Sequence, residues 1–365
     1  MKHIELSVII PTFNSILFLP ALFQCIDSLI LPISTELIFV DDCSSDDTLQ
    51  VLYEYAAKKS YCKIIPHRVN KGPACARNTG IEVSVGNYLF FMDSDDLISI
   101  DIFKVLFESL YTYDSLPDVV CCDTKWILAS GRNTRKGNYL YSDDVLFEEA
   151  DISLALADRF YNLDKKGILD CKGKIIKSSL LHVNSIRFDT DLRYLEDEVF
   201  FWDLLAHASS VLYVRNQLYE YSVNESINTA VVQGLLRGFS MDSLIIIKEH
   251  SLQMFLARNF SSEKSEILSR QVFVYFAINV LISCAKSIYQ KKISEKNGIA
   301  FVRSMVSDLL SSDNFHSAFS DYTKCSGESR LLLFAFKLKW SALIELAVFR
   351  RSRKIVSQAN RIASL

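Results

Sequence analysis

Four short, largely apolar runs constrain this chain more than any other feature. Residues 6–10, 37–40, 64–65 and 88–92 show no in-and-out alternation, and a stretch with helical spacing separates each from the next. Strands that read as continuous apolar runs are buried on both faces, and helices between them imply a parallel sheet covered on both sides. A helix starting at Pro20 carries Leu22, Phe23, Ile26, Leu29 and Ile30 on one face. The start signal Ser45-Asp46-Asp47-Thr48 opens a second helix, striped by Leu49, Leu52, Tyr53 and Ala56. Gly72-Pro73 opens a third through Ile81, and Ile102, Val105, Leu106 and Leu110 line a fourth before a fifth strand at 119–122. Ligands of such sheets sit beyond the carboxyl ends of the strands. Here those ends carry Asn14, Asp41-Asp42 and Asp93-Ser94-Asp95-Asp96.

Beyond Trp126 the pattern is mixed. Gly131, Gly137 and Gly167 punctuate short strands, 171–181 reads as strand then helix, 199–205 as helix and 211–214 as strand. After Asn228 the chain is nearly all helical and free of proline. The expected organisation is an α/β region over 1–229, in two parts at 1–125 and 126–229, then a helical region over 230–365. Half of the residues are hydrophobic, enough for one large core or two moderate ones. Nine cysteines, an odd number without a CxxC pair, read as reduced thiols of a cytosolic protein rather than as a disulfide framework or zinc site. The first residues lack the form of a signal peptide, and the longest apolar stretch, 272–285, reads as a buried helix.

The acidic run 93–96 is the sharpest chemical signal. Carboxylates one residue apart at a strand end can point the same way, and hard oxygen ligands of this kind suit Mg²⁺ or Mn²⁺ completed by substrate phosphates. The alternative is an acidic loop that caps the next helix. An EF-hand is excluded because Ile98 stands where that loop needs glycine, and a dinucleotide fold because no G-x-G-x-x-G follows the first strand. Asp41 and Asp42 can accept the N–H of a uracil-like base or serve their own loop. Asp46 and Asp47 read as helix-capping residues. Arg77 and Asn78, between Gly72 and Gly80, fit a helix start facing a diphosphate, with an ion-pair role for Arg77 as the alternative. The six histidines show no metal spacing.

The blocks SVIIPTFN (7–14), FVDDCSSD (39–46), NKGPACARNTG (70–80) and FMDSDD (91–96) together resemble the family 2 glycosyltransferases of the GT-A fold, in that family's order and spacing. A fifth block, Ile186-Arg187-Phe188 followed by EDEVFF (196–201), resembles the later element that carries the family's general base, and YEYSVNESI (219–227) the segment after it. Ser222 stands where many relatives have arginine. The resemblance implies a nucleotide-diphospho-sugar transferase with a mostly parallel sheet and a metal-dependent, inverting single displacement. Pro11, Asn14, Asp41, Asp42, Arg77 and Asp93 would bind the donor, and Asp95 with Asp93 would hold Mn²⁺ or Mg²⁺. Asp197 would be the base, with Glu196 as runner-up. An acidic first helical turn is the plain alternative for that pair.

Charge is unevenly spread. Residues 1–110 hold 14 acidic and 8 basic residues, whereas 330–365 hold 8 basic residues against Glu345 alone. An acidic site needs a cation between itself and an anionic donor, and a basic tail suits a phosphate-rich surface. Arg350-Arg351-Ser352-Arg353-Lys354 follows two apolar stretches, 331–336 and 343–349. The tail reads either as an interfacial helix on an anionic membrane or as a packed helix with a solvated basic face. Basic residues gather nowhere else, which argues against nucleic acid. The expected partners are a nucleotide-sugar donor, a glycan or lipid-linked glycan acceptor and the anionic inner face of the cell membrane. Two rivals remain. A non-catalytic glycosyltransferase-like binding module would lose the base. Another phosphate-handling α/β enzyme would carry a glycine-rich loop or a nucleophilic aspartate at the first strand, where Pro11-Thr12-Phe13-Asn14 stands.

Overall fold

The computed structural model describes residues 4–32, 34–128, 141–161, 172–223, 239–290, 293–322 and 329–363. It divides into two compact units, one built from 1–154, 168–190 and 196–223, the other from 155–167, 191–195 and 224–365. The expected boundary near residue 230, the glycines at 131, 137 and 167, and Cys171 fall outside the described residues.

The first unit is a nine-stranded mixed sheet. Strands β1 (Leu6–Thr12), β2 (Thr35–Asp41), β3 (Cys62–Pro66) and β4 (Tyr88–Phe91) run parallel in the order β3-β2-β1-β4, with Val8 opposite both Leu37 and Phe90. Helices α1 (Leu19–Ser28), α2 (Thr48–Ala56), α3 (Pro73–Val83) and α4 (Ile102–Leu110) lie in the chain around these strands. Strands β5 (Leu97–Ile98), β6 (Val119–Leu128), β7 (Val145–Glu148), β8 (Lys174–Lys177) and β9 (Ser210–Val223) complete the sheet, with α5 (Glu149–Tyr161), α6 (Ser178–Val183) and α7 (Glu196–His207) between them. The fifth strand expected from sequence is β6, but it does not sit beside β4. Antiparallel β8 lies between them, and β6 then pairs with β9 in parallel.

Burial on both faces explains the continuous apolar runs. Leu6, Val8, Ile10, Leu37, Phe39, Tyr88 and Phe90 share one core with Leu22, Ile26, Leu52, Ile102, Phe103 and Leu106 from α1, α2 and α4. On the other face α3 approaches β1 closely at Gly80, and Phe91 meets Phe188 and Phe200 edge-on. The stripe read for α2 keeps Leu52 but otherwise turns to Thr48 and Tyr55. Tyr55 is buried, stacks on Phe23 and donates to Asp27, whereas Tyr53 is exposed.

Pro11 belongs to central β1, where a missing N–H would ordinarily break a ladder. It is tolerated because the pairing with β4 ends at Ile9, opposite Phe91. From there β1 and β4 part at their carboxyl ends. This is also where the strand order reverses, with β2 and β3 on one side of β1 and β4 on the other. Such a switch point is where doubly wound sheets leave a crevice for ligand.

Apart from 191–195 and short connections, the second unit is helical among its described residues, with the end of α5 and then α8 (Met241–Ala257), α9 (Ser262–Tyr289), α10 (Glu295–Ser311), α11 (Asp313–Ser320), α12 (Arg330–Lys337) and α13 (Ser341–Ala363). Ser240, Ser261, Ser294, Ser312 and Ser329 each accept the N–H three residues on, so five helix starts are fixed by a local serine cap. Helix α9 is long and apolar enough to cross a membrane by length and composition, but 61% of its most apolar window is buried inside the fold. The apolar run at 272–285 is therefore the centre of a packed helix, as expected, although the helix is twice as long as that run. The tail forms two helices. Leu332, Ala335, Phe336, Ile344, Ala347 and Val348 are buried, and the Ser352 hydroxyl donates to the Ile282 carbonyl at 3.0 Å. Cys25, Cys43, Cys62, Cys75 and Cys284 are free thiols.

A Cβ added at Gly80 would stand 2.3 Å from Ile9 Cγ2, inside the packed layer between α3 and β1. Gly80→Ala should therefore destabilise the first unit by about 1–3 kcal/mol, as overpacked cores do. Urea unfolding followed by far-ultraviolet circular dichroism measures the loss, and an unchanged midpoint would contradict the close approach.

Candidate functional site

The loops at the carboxyl ends of β1 and β2 are laced together. Asn14, with a left-handed φ of 49°, accepts the Ser45 N–H through Oδ1 at 2.8 Å and donates its own N–H to Ser44 Oγ at 2.9 Å. Asp41 accepts the Ser44 N–H at 3.0 Å and the hydroxyls of Ser44 and Thr12. Asp42 accepts the N–H groups of Lys71 and Gly72, at 2.9 and 2.7 Å, and pairs with His67 Nδ1 at 2.7 Å. Both carboxylates thus organise the loops in which they lie, the second of the two readings given above. Asp42 holds the glycine turn that opens α3, where Gly72 has φ 92°. Asp46 accepts the Thr48 N–H at 3.0 Å and so takes up one donor at the start of α2, whereas Asp47, the N-cap residue, makes no side-chain cap bond.

The acidic run after β4 meets two cations. Arg77, in the second turn of α3, reaches Asp93 with Nη2 at 2.7 Å and Glu196 with Nη1 at 3.1 Å, and its guanidinium lies over the Phe188 ring. Lys172 reaches Asp93 at 3.1 Å and Asp96 at 3.3 Å, and stands 3.9 Å from the centre of the Tyr221 ring. Tyr219 donates its hydroxyl to Asp96 at 2.7 Å. Asn78, beside Arg77, exchanges two hydrogen bonds of 2.8 Å with the Phe188 backbone, tying α3 to the segment that leads to α7. Ser94 Oγ lies 2.9 Å from Ser15 Oγ, so the ends of β1 and β4 touch across the switch point.

One site therefore gathers Arg77, Asp93, Asp95, Glu196 and Asp197. For Arg77 the ion-pair alternative is the observed state. Glu196 and Asp197 form the first turn of α7, where Asp197 Oδ1 accepts the Glu198 N–H at 2.9 Å. Asp96 and Tyr219 lie in the acidic run and in the 219–227 block but carried no assigned role, and Lys172 had no local signal, because what assembles them is the pairing of β8 and β9 into the far half of the sheet. The side chain of Ser222 lies outside the described residues.

The electrostatics divide the carboxylates. Burial would raise Asp93, but Lys172 and Arg77 outweigh it and hold the group well below the usual range. Burial and the charge of Asp93 raise Asp95. Burial also raises Asp96, against the pull of Lys172 and with the help of Asp93 and Asp95. Burial and the adjacent Asp197 raise Glu196, with Arg77 opposing them. The arrangement is an acidic cluster, only partly neutralised from within, at the edge of a crevice. It suits a polyanionic ligand that brings a cation.

The family model for glycosyl transferase family 2 matches residues 7–163. An uncharacterized glycosyltransferase of Haemophilus influenzae is 30% identical over 190 residues, covering 48% of this chain and 75% of that protein. The chain belongs to glycosyltransferase family 2. This family 2 glycosyltransferase is also similar to the poly(ribitol-phosphate) beta-glucosyltransferase of Bacillus spizizenii, with 29% identity over 226 residues, 60% of this chain and 32% of that protein. It spans about a third to two thirds of the length of the first curated relatives it matches, between 32% and 65%. Among solved structures, Staphylococcus aureus TarS 1–349 in complex with UDP-GlcNAc superposes with a TM-score of 0.63 at 20% identity, covering 96% of this chain and 92% of that one. The likeness establishes the GT-A fold, with a mostly parallel sheet flanked by helices and a helical C-terminal region.

Removing Arg77 leaves Asp93 and Glu196 without a shared partner. Arg77→Met should cost about 3–5 kcal/mol at neutral pH, the usual loss when one member of a buried ion pair is deleted. Because the native pKa of Asp93 is lowered, its stabilising contribution is present above about pH 4, the unfolded value, and is lost as pH falls through the native one. The gap between wild type and variant should thus be widest at pH 7 and narrow below pH 4. Urea titrations at several pH values test this, and a gap that widens in acid would contradict the assignment.

Proposed function

We propose that this family 2 glycosyltransferase moves a sugar from a nucleotide-diphospho-sugar, a UDP-sugar by default, to a hydroxyl of a bacterial surface glycan, with inversion at the anomeric carbon. The observation that carries the proposal is the Arg77 bridge. A single guanidinium holds the Asp93 end of β4 and the Glu196-Asp197 turn of α7, so the donor-side acids and the base candidates flank one crevice. Relatives support the substrate class: they include a poly(ribitol-phosphate) beta-glucosyltransferase and the poly(ribitol-phosphate) beta-N-acetylglucosaminyltransferase TarS, whose structures include complexes with UDP and UDP-GlcNAc.

In this reading Pro11 and the loops organised by Asn14, Asp41 and Asp42 line the nucleoside pocket, and Asp93 lies near the ribose. Asp95, with Asp93 beside it, would hold Mn²⁺ or Mg²⁺. Among the described residues no group of three metal-ligating side chains is preassembled. This fits a cation held by one or two carboxylates and completed by substrate phosphates. The raised pKa of Asp95 fits as well, since surplus negative charge at that carboxylate is relieved by a divalent cation. When bound, the cation would neutralise the departing diphosphate. Arg77 and Lys172 hold the acids in position, and Lys172 is a cation within the site that does not depend on the arginine lacking at Ser222. Asp197 takes the proton from the acceptor hydroxyl, with Glu196 tied to Arg77 beside it. A lipid-linked acceptor would bring the enzyme to the cytoplasmic face of the membrane.

Asp197→Asn keeps the shape and removes the basicity. Turnover should fall by about 10²–10⁴ while UDP affinity in the presence of Mn²⁺ stays near normal. Glu196→Gln should be milder; the reverse order would exchange the two roles, and full activity in both variants would move the base elsewhere. Asp95→Ala should abolish the metal-enhanced part of UDP binding, read by calorimetry with and without Mn²⁺, with little change in thermal midpoint. Metal-dependent binding that survives in Asp95→Ala would remove this residue from the metal site.

A further inference from the structure

The corner between α12 and α13 presents apolar side chains to solvent where buried ones would be expected. Phe334, Leu338 and Trp340 are 54%, 52% and 58% exposed, and Leu346 on α13 is 60% exposed. The corner is also held rigidly. Lys339 adopts a left-handed φ of 52°, its N–H returns to the Phe336 carbonyl at 3.0 Å and that of Trp340 to Ala335 at 3.3 Å. These two bonds are the Schellman ending of a helix, with lysine where glycine is preferred. The residue after the left-handed position commonly folds back onto the helix in that motif. Here it is Trp340, and it points outward instead. Its carbonyl accepts the N–H groups of Leu343 and Ile344, so the same residue starts α13.

Cations surround these apolar groups. Lys337 and Lys339 bracket Leu338 and adjoin Trp340, while on α13 the exposed Leu346, Arg350 and Arg353 follow at spacings of four and three and so lie along one face. Residues 330–354 contain seven basic side chains and one acid, and that acid, Glu345, is bound by Arg303 at 3.1 Å. Outward aromatic and aliphatic groups ringed by lysine and arginine match an anionic bilayer, whose phosphates take the cations while its acyl boundary takes the apolar tips. An anionic polymer in solution would use the cations and leave Phe334, Leu338 and Trp340 without a role.

We infer that the α12–α13 corner is a membrane-docking face, with Trp340, Leu338 and Phe334 entering the interface of an anionic bilayer and Lys337, Lys339, Arg350 and Arg353 gripping its headgroups. It extends the reading of a lipid-linked acceptor but rests on the helical unit alone and needs no donor chemistry. The test uses the full chain with vesicles of phosphatidylglycerol and phosphatidylcholine, against pure phosphatidylcholine, at low salt. Wild type should sediment with the anionic vesicles, and its tryptophan emission should shift to the blue. Trp340→Phe should bind but lose that shift, whereas Trp126→Phe should keep it, and Trp202 is fully buried. Trp340→Ser with Leu338→Ser should weaken binding at least tenfold, and Arg350→Ser with Arg353→Ser by about fivefold per charge, with a flatter salt dependence. Circular dichroism should show both double variants folded, and their donor hydrolysis should match wild type. Absence of vesicle binding at low salt, binding without any change in Trp340 emission, or a wild-type dimer that the serine variants dissociate would each overturn the inference. Failure of donor hydrolysis in wild type would instead count against the proposed transfer reaction and leave this inference standing.

Discussion

The guanidinium of Arg77 is the interaction on which the site depends. It is nearly buried, and each end meets a carboxylate from a different part of the chain, Asp93 from the end of β4 and Glu196 from the start of α7. Its reach is set from below by Gly80, which lets α3 lie against Ile9 of β1, and from above by Phe188, on which the guanidinium rests. Asn78 fixes the height of Phe188 by binding its backbone in both directions. Three residues of one helix thus carry the register between the end of β4 and the start of α7. In a low-dielectric setting, such a bridge is worth keeping for its geometry even where its net stabilisation is small.

The site holds its acids out of balance. Asp93, Asp95, Asp96, Glu196 and Asp197 face Arg77 and Lys172, so carboxylates outnumber the cations supplied from within the first unit among the described residues. The consequence is visible in the groups themselves. Asp93, touching both cations, is strongly acidic, while Asp95 and Glu196 are pushed the other way by burial and by their neighbours. A perturbed pair of this kind marks a place where charge is meant to arrive with a ligand.

Much of the first hundred residues was legible because periodicity and strand-end chemistry are local. The boundaries of β1, β2, β4, α3 and α4 lie within about two residues of those read from the apolar runs and turn signals. Strand direction was not legible in the far half: Ile175 and Ile176 are as apolar as a parallel strand would be, yet β8 runs against β4 and β6. Tyr53 was placed inside because it continues the spacing from Leu49 and Leu52. The winner was Tyr55, whose ring stacks on Phe23 and whose hydroxyl finds Asp27. Within the site, Asp95 and Asp197 came from recognisable blocks. Lys172 belongs to no such block and Tyr219 only opens the 219–227 block, and the assembled sheet is what brings them to Asp96.

That dependence on β9 has a temporal side. The first four parallel strands pair within the first 91 residues, but β6 gains β8 only when Val119 meets Ile176 and β9 only when it meets Val211, and β5 finds its neighbour only when Ile98 meets Tyr219. Pairings of long sequence separation are slow, and a chain that folds as it is synthesised must wait for them. Until residue 219 has left the ribosome, Asp96 lacks its tyrosine donor and the edge of the growing sheet stays open to other strands. The nascent chain thus passes through an interval in which its donor half is formed and its acid cluster is exposed, and the late arrival of one strand decides when the enzyme becomes both closed and competent.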